Sequence, residues 1–308
     1  MKKVFIDGKE GTTGLQIYDR LAARKDISLI TLSEEKRKDV EARKAAINAA
    51  DVVFLCLPDG AAKESVSLCE NPATKIIDAS TAHRTAEGWA YGFPELSKEF
   101  REKIATGTRI ANPGCHASGF VSLVYPLVAA GLVGAEYPFV AHSVTGYSGG
   151  GKKMIAEYEN PERDEELSSP RQYGLTLTHK HLPEMTKICK LAHAPIFNPI
   201  VADFYKGMCV TVPIYVDLMK DRKSLEKLKG FFKEFYAGAK FISVAETEEK
   251  FLAANTFSGS NKMQIYVGGN EEQILLCSRF DNLGKGASGA AVQNMNIALG
   301  LPEDTYLE

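Results

Sequence analysis

Val4-Phe-Ile-Asp-Gly8-Lys-Glu-Gly11-Thr12-Thr13-Gly14-Leu15 runs an apolar strand through a glycine loop into the start of a helix. Val4 to Ile6 is the strand, and a helical pattern continues from Leu15 to Ala23. Glycines at this junction allow a tight turn, let the backbone approach a pyrophosphate and let the helix pack on the sheet. The helix N-terminus then faces the anion. The spacing is GxxGxxG rather than GxGxxG, and a glycine pattern alone would also suit a plain strand-to-helix turn. Its place at the first crossover of a parallel sheet favours a dinucleotide loop, with Gly8, Gly11, Thr12, Thr13 and Gly14 as cofactor contacts.

That sheet is legible in the following hundred residues. Strand patterns at 27–32, 51–57, 75–78 and 109–111 alternate with helical patterns at about 38–49 and 61–68. Apolar strands without polar alternation, separated by helices, predict a parallel sheet covered on both faces. Right-handed crossovers make this an α/β, Rossmann-type doubly wound domain. After about residue 115 the rhythm changes. Strand patterns at 140–143, 208–216, 241–244, 263–267 and 274–280 are separated by long irregular stretches. One clear amphipathic helix, 224–237, carries Leu225, Leu228, Phe231, Phe232 and Phe235. This predicts an α+β domain with a mixed or antiparallel sheet and helices on one side. The charged, proline-bearing stretch 157–171 reads as a surface loop.

Composition bounds the function classes. The chain has 308 residues, with 37 Lys+Arg against 39 Asp+Glu and a formal charge of −2. This balance argues against nucleic-acid or membrane-surface binding by bulk charge. The long uncharged stretch Gly114 to Ala135 contains His116, Ser118, Ser122 and Pro126, so a buried helix fits it better than a membrane span. The six cysteines form no CxxC pair and read as separate thiols of a reducing compartment. A soluble, cytoplasmic protein is expected.

The second strand ends at Ser33 and is followed by Glu34-Glu35-Lys36-Arg37-Lys38. An acidic group at that strand end suits NAD, whereas donors and positive charge suit NADP. Ser33, Lys36 and Arg37 favour NADP(H), while Glu34 leaves the choice open. Asn112-Pro-Gly114-Cys115 then opens a long apolar helix. A thiol at a helix start gains thiolate character from the macrodipole and unpaired N–H groups, and the same N–H groups suit an oxyanion or phosphate near Ser118. Cys56 and Cys277 lie inside apolar strands and read as inert. A thiol nucleophile needs a base. His179 and His181, in His-x-His on an expected extended segment, would put both rings on one face. A metal site is a poor alternative, since no further ligand cluster accompanies the pair.

Several motifs occur in order: Asp78-Ala-Ser80-Thr-Ala-His-Arg84, Trp89-Ala-Tyr91-Gly-Phe-Pro94-Glu-Leu96, Asn112-Pro-Gly-Cys115, Ser143-Val-Thr-Gly-Tyr-Ser-Gly-Gly-Gly151-Lys152, His181-Leu-Pro-Glu184, and Asp281 through Asn294. From Lys3 to about Leu299 the chain closely resembles the N-acetyl-gamma-glutamyl-phosphate reductases, of the shorter type. It resembles more distantly the aspartate-semialdehyde and glyceraldehyde-3-phosphate dehydrogenases. The resemblance implies Cys115 as nucleophile and His181 as acid/base, with His179 the lesser choice, and an acyl-phosphate substrate reduced by NADPH through a cysteinyl thioester. It implies that the segment from Asp281 returns to the cofactor domain, with Asn282 and Gly284 near the nicotinamide. The expected domains are therefore 1–115 with 284–308 for NADP, and 116–283 for catalysis and assembly into a homodimer or homotetramer. Arg84 is the first choice for a substrate anion, with Arg109, Lys152 and Arg171 behind it, and Asn112 and Ser118 are further substrate candidates. Ala82-His83 stands where relatives often carry Asp-Phe, and Lys9-Glu10 where many have small residues. The rivals are reduction of another acyl phosphate and a nucleotide-sensing regulator without turnover.

Overall fold

In the computed structural model, which describes residues 1–247 and 249–307, the opening motif forms β1 (Lys2–Asp7) and α1 (Thr12–Ala22). There follow β2 (Ile27–Ile30), α2 (Val40–Ala49), β3 (Val52–Leu55), α3 (Asp59–Ser67), β4 (Lys75–Asp78), β5 (Ala90–Tyr91), α4 (Lys98–Thr106) and β6 (Arg109–Ala111). The sheet order is β2-β1-β3-β4-β6-β5, and every pairing is parallel. Val4, Val52, Val53, Ile76, Ile77 and Ile110 are fully buried, as expected for strands with helices on both faces. The order reverses direction between β1 and β3, which puts the switch point where Asp7-Gly8 and Cys56-Leu57 leave the sheet. The α2 helix starts at Val40 because Asp39 caps it, its carboxylate accepting the Ala42 N–H at 2.7 Å.

The second unit begins with α5 (Cys115–Ala129) and continues with β7 (Val140–Gly146), α6 (Gly151–Glu159), β8 (Arg171–Gln172), α7 (Leu182–Ile188) and β9 (Ile196–Ala202). It ends with β10 (Met208–Tyr215), α8 (Leu225–Phe235), β11 (Ile242–Val244), β12 (Met263–Gly269) and β13 (Gln273–Phe280), before α9 (Gly289–Ala298) returns to the first unit. The order is β11-β12-β13-β10-β7-β9-β8, with parallel pairs at β11/β12 and β7/β9 and antiparallel pairs elsewhere. Buried α5 lies so close to this sheet that a Cβ on Gly119 would collide with Val210 of β10. Pro126 within α5 cannot donate to the Ser122 carbonyl, and the Tyr236 hydroxyl donates to it instead at 2.6 Å.

By its own contacts the chain divides into two compact units, 1–113 with 287–308 and 114–286, so Cys115, Gly284, Lys285 and Gly286 lie in the second. Two expectations are corrected. The stretch 157–171 is only partly loop: α6 extends to Glu159, and a 3-10 turn spans Glu165–Ser168, where the Asp164 carboxylate accepts the Glu166 N–H. The His179–His181 segment is a turn leading into α7 rather than extended chain. Sequence reading also missed β9, whose internal Pro199 argues against a strand, and α4, whose nine residues bury only Ile104.

Candidate functional site

A cavity of about 690 Å³ opens at the carboxyl ends of β1, β2 and β3. Gly8, Lys9 and Gly11 line one side, Leu57 and Pro58 the floor, and Glu34, Arg37 and Lys38 the far wall. Gly8 has φ +84, and a Cβ there would strike the Cys56 carbonyl, so only glycine fits both the conformation and the close approach. A Cβ on Gly14 would in turn strike the Gly8 carbonyl. Thr12, Thr13 and Gly14 form the uncapped first turn of α1, whose N–H groups have no acceptor within the helix. This suits a pyrophosphate, and the basic wall suits a ribose phosphate. Arg37 pairs with Glu34 at 2.6 Å, while Ser33 accepts the Lys36 and Arg37 N–H groups through its carbonyl, closing the turn. Sequence reading missed Arg43. It lines the cavity and is buried on Asp7, Glu64 and Ser65, bracing the end of β1.

In the second unit Cys115 is the first residue of α5, after Gly114 with extended φ and ψ and no side-chain cap. The Gly114 N–H donates to the buried Glu184 carboxylate at 2.9 Å, which ties the first turn of α7 to the base of the thiol helix. His181 immediately precedes α7 and is buried. His179 accepts the His181 backbone N–H through Nδ1 at 3.2 Å, which makes Nε2 its protonated nitrogen. Three imidazoles meet here: ring centroids are 4.8 Å apart for His179/His181, 5.4 Å for His116/His179 and 5.7 Å for His116/His181. Burial, reinforced by Lys180, pushes His179 down to about 4, so its ring is neutral at pH 7. The backbone of Gly286 passes against the Cys115 Cβ, so the segment after β13 walls the thiol.

The structure brings His116, Ser143 and Tyr173 into this group, and sequence reading had assigned none of them a role. His116 Nδ1 lies 2.7 Å from Ser143 Oγ, and its Nε2 lies 2.7 Å from Tyr173 Oη. The signal for His116 was its place beside the thiol. Nothing local marks Tyr173.

Other expected contacts are engaged within their own units. The Arg84 guanidinium donates to the Asn112 and Ala79 carbonyls, each at 3.0 Å. The Asn112 amide donates to Ala287 O and accepts from Asn294, so it knits α9 to the turn before the thiol helix. Arg109 donates to the Thr74 and Thr108 carbonyls, and Arg171 to the Tyr158 hydroxyl. Lys152 is exposed near the start of α6, and Ser118 is buried one turn into α5. Asn282 accepts the Gly207 N–H and donates to Ser148, while a Cβ on Gly284 would strike the Ser260 carbonyl. His83 contacts Asp78 at 2.6 Å and stacks on Trp89. Among the described residues no group of three His, Cys, Asp or Glu side chains is placed to hold a metal ion.

Comparison with known proteins agrees with this architecture. Residues 3–105 match the semialdehyde dehydrogenase NAD binding domain, and residues 115–282 match the semialdehyde dehydrogenase dimerisation domain. Aspartate-semialdehyde dehydrogenases of Francisella tularensis and Vibrio cholerae superpose with a TM-score of 0.72 at 16% identity. The alignments cover 96% and 97% of this chain and 99% of each structure, and at that identity they speak for the fold alone. An N-acetyl-gamma-glutamyl-phosphate reductase 2 of Nostoc sp. is 45% identical over 99% of both chains. The N-acetyl-gamma-glutamyl-phosphate reductase of Chelativorans sp. is 47% identical over 96% of this chain and 98% of its own. With likeness of that degree along nearly its whole length, on a nucleotide-binding sheet and a helix-start thiol, this chain belongs to the N-acetyl-gamma-glutamyl-phosphate reductase family.

Proposed function

We propose that this chain carries out the reaction of its family, NADPH-dependent reduction of N-acetyl-gamma-glutamyl phosphate to N-acetylglutamate 5-semialdehyde and phosphate in arginine biosynthesis. The observation that carries the site assignment is Cys115 at the uncapped start of α5, with α7 and its preceding His181 tied to the same turn through Glu184 and Gly114. The helix dipole and first-turn N–H groups favour the Cys115 thiolate, which attacks the acyl-phosphate carbonyl. Phosphate departs with the electron pair of the C–O bond, leaving a thioester on Cys115. NADPH, when bound, supplies the hydride that reduces this thioester. As the resulting thiohemiacetal collapses to the aldehyde and frees the thiol, His181 moves the proton between the hemiacetal oxygen and the sulfur.

Gly8, Gly11, Thr12, Thr13 and Gly14 are assigned to the pyrophosphate, and Arg37 with Lys38 to the ribose phosphate. Ser33 and Lys36 serve by shaping their turn. Lys152 and Ser118 are assigned to the substrate. Arg84 and Asn112 are better read as braces for the turn that ends at Cys115, because their polar groups already hold backbone and Asn294. Asn282 likewise braces Gly207 and Ser148 in the wall beside the thiol.

The chain carries its family's dimerisation domain, and a homodimer or homotetramer is proposed. Ile196, Tyr215 and Leu275 stand exposed on β9, β10 and β13, where the strand pairings put them on one face of the mixed sheet. Among the described residues no helix is long and apolar enough to cross a membrane, and a cytoplasmic location is proposed. The test follows NADP⁺ reduction with N-acetylglutamate semialdehyde and phosphate, beside Cys115→Ala and an aspartate-semialdehyde control. Phosphate-dependent turnover of the acetylated substrate, lost in the variant, is expected. Turnover of the aspartate control alone would move the substrate assignment, and full activity of the variant would remove the covalent scheme.

A further inference from the structure

The thiol chemistry leaves one buried network without a task. His116 is 3% exposed and Ser143 is wholly buried. Desolvation, reinforced by His179 and Lys180, pushes the His116 imidazole down to about 3, so the ring is neutral in the working range. A neutral imidazole donates from one nitrogen and accepts at the other, so its contacts to Ser143 and Tyr173 have two possible directions. If Nδ1–H donated to Ser143, the serine proton would be buried with no acceptor, because among the described residues this hydroxyl has no second hydrogen-bond partner. Such an orphaned donor costs about 1–3 kcal/mol. The opposite direction, Ser143 O–H to Nδ1 and then Nε2–H to Tyr173 Oη, pairs the wholly buried serine proton and leaves over only the proton of Tyr173, which is partly exposed.

In that direction the Tyr173 oxygen accepts, and its own proton is aimed away from His116. Burial, followed by the charge of the nearby Cys115, raises the Tyr173 pKa, so the phenol stays protonated. Tyr173 is also anchored to the sheet, its N–H donating to the Pro199 carbonyl at 3.0 Å. Its ring centroid lies 6.1 Å from that of His179. We propose that Ser143 and His116 form a positioning relay that presents the Tyr173 hydroxyl as a neutral hydrogen-bond donor to the Cys115 sulfur and to the oxyanion that develops beside it. The relay rests on the assignment of Cys115 as nucleophile made above and adds a catalytic group to it. No proton leaves the tyrosine. Its hydrogen bond strengthens as the carbonyl oxygen gains charge, once when the thiolate attacks and again when the thioester is reduced. The relay fixes the ring tautomer in the way that orienting partners fix other catalytic imidazoles.

The test uses the full chain with Tyr173→Phe, His116→Phe, His116→Gln and Cys115→Ala. It measures kcat and KM for phosphate-dependent NADP⁺ reduction, together with the pH dependence of Cys115 alkylation by iodoacetamide. Tyr173→Phe and His116→Phe are expected to lower kcat on the order of 10- to 100-fold, with KM changed less than about threefold, and to move the alkylation midpoint to higher pH. His116→Gln is expected to recover most of kcat. Its amide oxygen accepts from Ser143 and its N–H donates to Tyr173, a recovery that a purely space-filling role would not give. Should His116→Phe fail to fold, Tyr173→Phe decides by itself, since Tyr173 is only partly buried in a loop. Unchanged kcat and an unchanged alkylation profile in Tyr173→Phe, with turnover lost in Cys115→Ala, would overturn the relay alone. Turnover retained in Cys115→Ala would overturn the thiol mechanism and the relay with it.

Discussion

Tyr236→Phe removes one hydroxyl and leaves the aromatic body in place, so its cost reports on what that hydroxyl holds. That hydroxyl donates at 2.6 Å to the Ser122 carbonyl, the acceptor that Pro126 leaves unserved one turn later in α5. Tyr236 is 4% exposed and Ser122 wholly buried, so water does not replace the lost donor. A buried carbonyl stripped of its partner costs about 1–3 kcal/mol. Taking about 2 kcal/mol, and about 2–4 °C per kcal/mol for a unit of this size, the melting temperature should fall by roughly 4–8 °C. Guanidinium unfolding followed by fluorescence, with midpoints compared at constant slope, measures the same quantity. The decisive comparison is a double-mutant cycle with Pro126→Ala. Alanine restores the N–H that reaches Ser122, so Tyr236→Phe in that background should cost less than about 1 kcal/mol. Equal costs in the two backgrounds would refute the claim that the tyrosine substitutes for the missing helix bond.

Replacing Arg37 by Ser should raise KM for NADPH about 10- to 100-fold, the worth of one charge-assisted phosphate contact, with much less effect on NADH. Parallel changes for both cofactors would remove Arg37 from the ribose phosphate. Glu184→Ala leaves the Gly114 N–H without its carboxylate and frees α7 from the thiol turn. It should lower kcat at least about tenfold, and steady-state rates matching the unaltered enzyme would show that the tie is dispensable. His116 and His179 have folded-state pKa values lowered to about 3 and about 4. Their contribution to stability is therefore fully present above the unfolded pKa near 6.5 and is lost as pH falls toward the folded values. Urea midpoints should drop between pH 6.5 and 4.5 by more than in a His116→Gln/His179→Gln variant. Equal slopes over that window would show that neither ring is held neutral.

The glycine loop, the apolar strands and the thiol at a helix start were readable because each is a local pattern. Parallel strands buried on both faces cannot alternate, a close backbone approach needs glycine, and a helix start is marked by Pro113-Gly114. The histidine pair was also readable, but its expected extended geometry was not what formed. Pro183 in the first turn of α7 and the bond from His181 N–H to His179 make the segment a turn, and it is the turn that brings the rings together. Arg84 and Asn112 show the opposite limit. A cation or amide beside a reactive motif has the same sequence whether it meets a ligand or a backbone carbonyl.

By itself, then, the sequence of this chain determined its two-unit α/β and α+β character, its glycine loop and its thiol at a helix start, because short-range periodicity and backbone sterics encode those features. Only the tertiary structure decided that Glu184 ties α7 to Gly114, that Arg43 braces Asp7 beside the cavity, and that Ser143 and Tyr173 meet on the ring of His116, the residue after Cys115. Those partners lie 70, 36, 27 and 57 residues apart in the chain. Their meeting is set by strand order and helix packing, and no local pattern carries that information.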